Sequence, residues 1–250
     1  MAMRTLRPLS VGEVLDTTVG VYREAFVPLF LLSIVTQIVP QLLAVYQSDD
    51  LLSAGFTSLL LRLVIGAVLG AVGSAASTFV VAETYLGRSL TMGDALQQAL
   101  PFIGRILSVA LLVSLVTFLG FVLLIVPGVI AFCGLLLSTP ALVIEGLPSA
   151  RTAMSRSWAL TTGLRGRVFV ILFVGFLLLW LPMIAVSGVS SMLGGSDVAS
   201  MALIFLLVGG VLQLLIYPFF YVATVVLYYD ARVRKEGFDL DLLSQTLLPR

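Results

Sequence analysis

Phe102-Ile103-Gly104-Arg105-Ile106-Leu107-Ser108-Val109-Ala110-Leu111-Leu112-Val113-Ser114-Leu115-Val116-Thr117-Phe118-Leu119-Gly120-Phe121-Val122-Leu123-Leu124-Ile125-Val126 carries a single charge, Arg105, near its start. A helix needs about 20 apolar residues to cross a hydrocarbon core of about 30 Å, and this stretch supplies them. Similar stretches cover residues 26–46, 63–86, 129–144, 168–189 and 211–229. The run at 129–144 is short, so its span is expected to begin at or inside the Pro127-Gly128 turn. The whole is expected to be an all-α integral membrane protein with six transmembrane helices.

The connections alternate in charge. Arg4, Arg7 and Arg23 precede the first stretch, Arg88 and Arg105 flank the second connection, and Arg151, Arg156, Arg165 and Arg167 fill the fourth. Arg232, Arg234, Lys235 and Arg250 come after the last stretch. Of fourteen Lys and Arg residues only Arg62 falls on the other side, where Asp49, Asp50 and Asp197 lie. Cationic connections are retained in the cytoplasm, so both termini are expected inside, in the cytoplasmic (inner) membrane.

Composition agrees with this class. Hydrophobic residues make up 60% and charged residues 11%, against about 25% charged in soluble domains. A net charge of +1 with no basic face away from the membrane boundary argues against a nucleic-acid partner. Cys133, the one cysteine, excludes an internal disulfide and suits a small buried apolar role. The first apolar run starts only after Glu13, Asp16 and Glu24. It is too long for a signal core, so it is expected to stay as an anchor.

A short unit recurs before the first, third and fifth stretches: Leu9-Ser10-Val11-Gly12-Glu13-Val14-Leu15, then Leu90-Thr91-Met92-Gly93-Asp94-Ala95-Leu96, then, more weakly, Pro148-Ser149-Ala150-Arg151-Thr152-Ala153-Met154. Ser10 with Glu13 fits a capping box, Thr91 with Asp94 a looser one, and Ser149 keeps the cap without the acid. Each cap opens an amphipathic stretch, expected to lie along the inner membrane surface or to extend its span. The chain then reads as three repeats of interfacial helix plus two spans, at about 9–86, 90–145 and 148–240. Parallel repeats of this kind are related by an axis along the membrane normal, which allows a pseudo-threefold bundle.

Arg7-Pro8-Leu9-Ser10-Val11-Gly12-Glu13-Val14-Leu15-Asp16 with Tyr22, Ile125-Val126-Pro127-Gly128-Val129-Ile130, Ala141-Leu142-Val143-Ile144-Glu145-Gly146, and Arg156-Ser157-Trp158-Ala159-Leu160-Thr161 form a series of motifs. It closes with Tyr228-Tyr229-Asp230-Ala231-Arg232-Val233-Arg234-Lys235-Glu236-Gly237-Phe238-Asp239-Leu240. Over nearly the whole chain the series resembles the bacterial glycerophosphoryl diester phosphodiesterase membrane-domain family. That family takes its name from members fused to a soluble phosphodiesterase. The resemblance implies a fold and a membrane location. It does not carry over the hydrolase activity, since the chain has no histidine and no long polar segment that could fold as that enzyme.

Glu83, Glu145 and Asp230 each sit near the inner end of an outward-to-inward stretch, where acids are expensive. Two readings account for them: a carboxylate ring binding a cation or proton, or ion pairs to Arg88, Arg151, Arg156 or Arg165. On a continuing helix Asp230 reaches Arg234 and Arg232 reaches Glu236, Gly237 suits a left-handed cap with Phe238 folding back, and Tyr228 and Tyr229 sit at headgroup depth. The tail is expected to dock on the first capped helix through Glu13 and Asp16, with a partner or anionic lipid as the alternative dock. Arg62 is expected to pair with Asp49 or Asp50. Gln37 and Gln213 fit an interhelical hydrogen bond of about 0.6 kcal/mol. Gly66, Gly70 and Ser74, overlapping Ala67, Ala71 and Ala75, mark 63–86 as a closely packed central helix. Pro40, Pro140, Pro182 and Pro218 interrupt four stretches, as broken helices do at transporter sites.

No nucleophile with its base, metal-ligand cluster or phosphate-cradling glycine loop is legible, so neither enzyme activity nor a cofactor is expected. The expected partners are membrane lipids and a membrane protein, and the expected role is that of a scaffold or accessory subunit in membrane or envelope maintenance. The alternative is a transporter or lipid-handling protein with a cavity between the repeats.

Overall fold

The computed structural model describes residues 7–46, 56–193 and 198–237. Asp49, Asp50, Asp197 and the tail beyond Gly237, on which part of the charge and tail readings rest, lie outside the described residues, as does the side chain of Arg62. The described residues form α1 (Val11–Glu24), α2 (Phe26–Tyr46), α3 (Phe56–Tyr85), α4 (Met92–Ala99), α5 (Ile103–Leu123), α6 (Ile125–Leu135), α7 (Ser138–Ile144), α8 (Ala150–Thr161), α9 (Arg165–Leu193) and α10 (Val198–Glu236), with no strand among them. Five helical stretches are long and apolar enough to cross a membrane: Leu63–Tyr85, Met92–Leu123, Ile125–Ile144, Arg165–Val189 and Val208–Glu236. A sixth counts when α1 and α2, bent by 80° at their junction, are taken as one. The bundle is therefore that of a multi-pass membrane protein.

The three capped starts form as their spacing dictates. Ser10 Oγ accepts from Glu13 N at 3.2 Å while Glu13 Oε2 accepts from Ser10 N at 2.6 Å, closing a capping box. Thr91 Oγ1 accepts from Asp94 N and Ser149 Oγ from Thr152 N, each at 3.2 Å. The three capped helices join their spans in different ways. α1 turns through its 80° bend at Ala25. α4 instead continues through a 3-10 turn at Leu100–Phe102 into α5, forming one run with its span rather than a separate surface helix. α8 is set off from α9 by Gly163 at φ +79°.

The α5–α6 hairpin departs from the expected boundary. The chain turns at Leu124, extended at φ −168° and ψ 158°, and α6 starts at Ile125 rather than after Pro127. Pro127 fits there because the first helical turn needs no N–H from it. Gly120 and Gly128 let the two helices close: a Cβ on Gly120 would lie 2.9 Å from Gly128 Cα, and one on Gly128 would lie 2.4 Å from the Phe121 ring.

α6 and α7 are one apolar stretch broken at Leu136 and Leu137. Pro140, in the first turn of α7, has no N–H to donate back to the Leu136 carbonyl, so the ladder is interrupted there. α3 is the central helix, touching α1, α2, α4, α5, α7 and α10. Of its small residues Ala71 and Ala75 are buried and a Cβ on Gly73 would lie 3.0 Å from the Thr36 side chain, whereas Gly66 and Gly70 face open space. The small rows thus pack closely over only half their length. Burial concentrates toward the end where α1, α8 and the last turns of α3, α7 and α10 meet. There Val14, Val81, Leu142, Leu160, Val226 and Tyr228 are all buried. Leu115, Phe118, Leu119, Val122 and Leu123 at the far end of α5 are exposed.

Candidate functional site: a charged clamp and an apolar groove

Asp230, in the last turns of α10, is 2% exposed. Its Oδ1 accepts from Leu9 N at 2.8 Å and its Oδ2 from Arg234 Nε at 3.0 Å, while Arg167 Nε at the start of α9 lies 3.3 Å away. Arg167 and Arg234 each send a second guanidinium nitrogen to the Leu9 carbonyl. Both polar groups of one backbone residue are thus gripped, N–H by the carboxylate and C=O by two arginines. A buried carboxylate is tolerated only with such complete pairing. The clamp joins the segment before α1 to α9 and α10.

A second network adjoins it. Arg156 of α8 donates from Nε to both oxygens of Glu145 at 2.9 Å, and from Nη2 to Glu236 at 2.8 Å. Tyr228 OH donates to Glu145 at 2.6 Å. Arg232 Nε lies 3.1 Å from Glu236 and 4.0 Å from Glu145, with its guanidinium over the Tyr228 ring at 5.8 Å. The hydrogen bond to Glu236, then those to Glu145, hold the Arg156 guanidinium above its ordinary range despite partial burial. Arg105 Nη1 donates to Leu147 O at 2.9 Å, tying α5 to the turn after α7.

The tail reaches the start of the chain, but not through the expected acids. Its contact is the Leu9 backbone. Glu13 instead pairs with Arg7 and with Ser10, contacts that lower its pKa to about 2, the Ser10 backbone bond first. Asp16 lies exposed in a shallow groove with Arg7, Thr17 and Tyr85. Glu83 pairs with Arg88 at 2.5 Å on the surface. Gly87, Gly146 and Gly237, after the ends of α3, α7 and α10, all have φ between +62° and +80°. Gly237 N donates to Val233 O at 3.2 Å, an αL cap. Glu83, Glu145 and Asp230 are each engaged by arginine. Among the described residues no group of three His, Cys, Asp or Glu could hold a metal ion.

Ser157, which no sequence pattern marks as structural, bridges two helices. Its Oγ accepts from Leu137 N at 3.1 Å and donates to Gly134 O at 2.8 Å, engaging backbone groups beside the break between α6 and α7. Thr161 Oγ1 adds a bond to the same carbonyl at 3.1 Å. Trp158 packs against Gly134 through the Cε3–Cζ3 edge of its indole, where a Cβ would come within 2.6 Å of the ring. The other neighbour of that indole is Arg165, whose guanidinium sits 3.9 Å from the ring centroid.

Between α3, α6, α7, α9 and α10 lies an open cavity of about 460 Å³. Thr78, Phe132, Leu136, Leu172, Phe176 and Tyr221 are among its walls. Its volume falls in the range of small-molecule sites. The hydroxyls of Ser74, Thr78 and Thr224 bond to carbonyls of their own helices, at 2.9, 2.7 and 2.9 Å. They therefore turn a largely hydrocarbon face to the space. No charged side chain lines it among the described residues.

No protein-family model, curated protein or solved structure matches this chain.

Proposed function

We propose that the protein is a non-enzymatic six-span protein of the bacterial cytoplasmic membrane with both termini inside, serving as a scaffold or accessory subunit in membrane or envelope maintenance. Its three repeats and its kinship with the glycerophosphoryl diester phosphodiesterase membrane domain belong to the same proposal. The observation that carries it is the ion-pair lattice. Asp230, Arg167, Arg234, Glu145, Arg156, Glu236 and Arg232 pair with one another and join the segment before α1, the end of α7, α8, α9 and α10 at one end. Charges paired with each other hold helices in place, and none of these seven groups is left free to act as a base. The glycine at positive φ after each of α3, α7 and α10, succeeded in two cases by a hydroxyl cap, supports the repeat.

Two experiments test this. Cysteines introduced at 49, 197 and 245 in intact cells should be labelled from outside at 49 and 197 only; external labelling at 245 would overturn the topology. Deleting the gene should sensitise cells to detergent and osmotic shock, and the wild-type chain should restore resistance. An unchanged deletion strain would count against a role in the envelope. A second reading, lipid handling, is favoured by the apolar cavity where the proposed repeats meet.

A further inference from the structure

Six hydroxyl-bearing side chains line the apolar cavity between α3, α6, α7, α9 and α10, and they fall into two sets. Those of Ser74, Thr78 and Thr224 are engaged by carbonyls of their own helices. Those of Thr139, Tyr217 and Tyr221 have no hydrogen-bond partner among the described residues, yet none is sealed into the packing. Tyr217 and Tyr221 are four residues apart, so they share one face of α10. A phenol in apolar surroundings ordinarily finds a partner, because a polar group left without one there is costly. These walls therefore offer donors to a molecule that brings acceptors.

Charge and depth say which molecule. No charged side chain lines the cavity among the described residues, so the guest is neutral. Tyr221 and Tyr217 precede Asp230 by nine and thirteen positions, which is about 14 and 20 Å along α10. With Asp230 at the charged end, both phenols stand near the middle of a hydrocarbon core about 30 Å thick. A glycerolipid holds its ester carbonyls at the boundary, too far away to reach them. Phe132, Phe176 and Phe220 add aromatic walls. The Phe220 ring packs against Gly175, where a Cβ would lie 2.9 Å from it. We propose that the cavity binds a membrane quinone, with its ring among these aromatic walls and its carbonyl oxygens accepting from Tyr217 and Tyr221. Thr139 supplies a third donor. A quinone carries acceptors, a flat ring that suits aromatic stacking and no hydrated head, so it can lie at this depth. Phe132 and Phe176 are 43% and 46% exposed, so the α6 and α9 walls continue onto the outer surface, where the isoprenoid tail meets lipid.

The inference rests on the membrane reading above and names a guest for the lipid-handling alternative. Extraction of the chain by alkaline carbonate would overturn the membrane reading, whereas a chain that stays in the membrane and takes up no quinone overturns this site alone. The full chain in mild detergent is photolabelled with an azidoquinone, and the labelled peptides are mapped by mass spectrometry. Label should fall on the cavity residues of α9 and α10. Excess decylubiquinone should remove it, and the same amount of dioleoylglycerol should not. Tyr217→Phe combined with Tyr221→Phe keeps both rings and so tests the hydroxyls without emptying the wall. That variant should lower labelling at a subsaturating azidoquinone concentration about tenfold, as losing hydrogen bonds to the guest does. Ser108→Ala, which removes an exposed hydroxyl on α5, should leave labelling unchanged. Leu172→Trp, filling the cavity, should abolish it. Undiminished labelling in the tyrosine double variant, label spread over the exposed face of α5, or displacement by dioleoylglycerol would each overturn the proposal.

Discussion

The carboxylate of Asp230 accepts a hydrogen bond at 2.8 Å from the backbone N–H of Leu9, 221 positions earlier in the chain. Nothing in the pattern of side chains announces that bond, because one partner is a backbone group in a non-helical segment. It nevertheless decides where the tail sits.

Replacing Asp230 with alanine should destabilise the bundle by about 3–5 kcal/mol, the cost of stranding buried partners of a charge pair. Asp230→Asn should cost less, since an amide oxygen still accepts from Leu9 N. Glu83→Ala, which breaks a pair whose arginine is 64% exposed, should cost only about 0–1 kcal/mol. Thermal unfolding in detergent ranks the three, and an Asp230→Ala variant no worse than Glu83→Ala would refute the clamp.

Arg232→Glu with Arg234→Glu should loosen the tail, and adding Glu13→Arg with Asp16→Arg should fail to restore it. The tail arginines engage Glu145, Glu236, Asp230 and Leu9 O instead. Protease protection of the α10 terminus reads the outcome. Rescue by the Glu13 and Asp16 reversals would return the dock to those acids.

Ser157→Ala should cost about 1–3 kcal/mol, because a buried N–H at Leu137 loses its acceptor. Gly134→Ala should also destabilise, by driving a methyl into the Trp158 ring. Combined with Trp158→Leu, the Gly134→Ala cost should shrink, and a double-mutant cycle in thermal stability measures the coupling. Strictly additive effects would mean the indole does not rest on Gly134.

In the α5–α6 hairpin, Gly120→Ala should be more harmful than Gly128→Ala. The first sets a methyl against the backbone of Gly128, which cannot yield, whereas the second meets the ring of Phe121, which is 45% exposed and can swing away. Overpacking of the first kind costs about 1–3 kcal/mol. Equal unfolding temperatures for the two variants would contradict the hairpin geometry.

Glu13 brings a pH dependence. Its pKa in the fold is about 2 against an ordinary 4.5, so its contribution to the α1 cap is complete above the ordinary value. It is lost as pH falls from there through about 2. Hydrogen exchange at the first α1 amides should accelerate across that window relative to the helix centre. In Glu13→Gln the acceleration should vanish, and an unchanged acid response in that variant would assign the effect to another group.

Local features are legible in the sequence and distant ones are not. Ser10 with Glu13, Thr91 with Asp94, and Asp230 with Arg234 are three or four residues apart, so helix geometry alone brings them together. Apolar length locates most of the spans. The start of α6 is misplaced by sequence reasoning because Pro127 reads equally as a turn residue and as a first-turn helix residue, and only the close approach of Gly120 and Gly128 decides. Ser157 escapes notice because its partners are backbone groups beside the break between α6 and α7, twenty or more positions before it. The acids are legible as costly, but the lattice that satisfies them needs α7, α8 and α10 in their folded places. The groove is likewise invisible in sequence, because its walls come from helices distant along the chain.

The grip of Asp230 on Leu9 sets an order on biosynthesis. A ribosome delivers Leu9 and the start of α1 long before residue 230 exists, and Arg167 emerges before its carboxylate partner. Through most of synthesis the N-terminal segment therefore waits with its backbone polar groups hydrated at the membrane surface, while Arg167 has no internal counter-ion. The late arrival of α10 brings Asp230 to the Leu9 N–H and to Arg167, and Arg234 to the Leu9 carbonyl. The interval before it is when the nascent chain is most open to a protease or to a membrane chaperone.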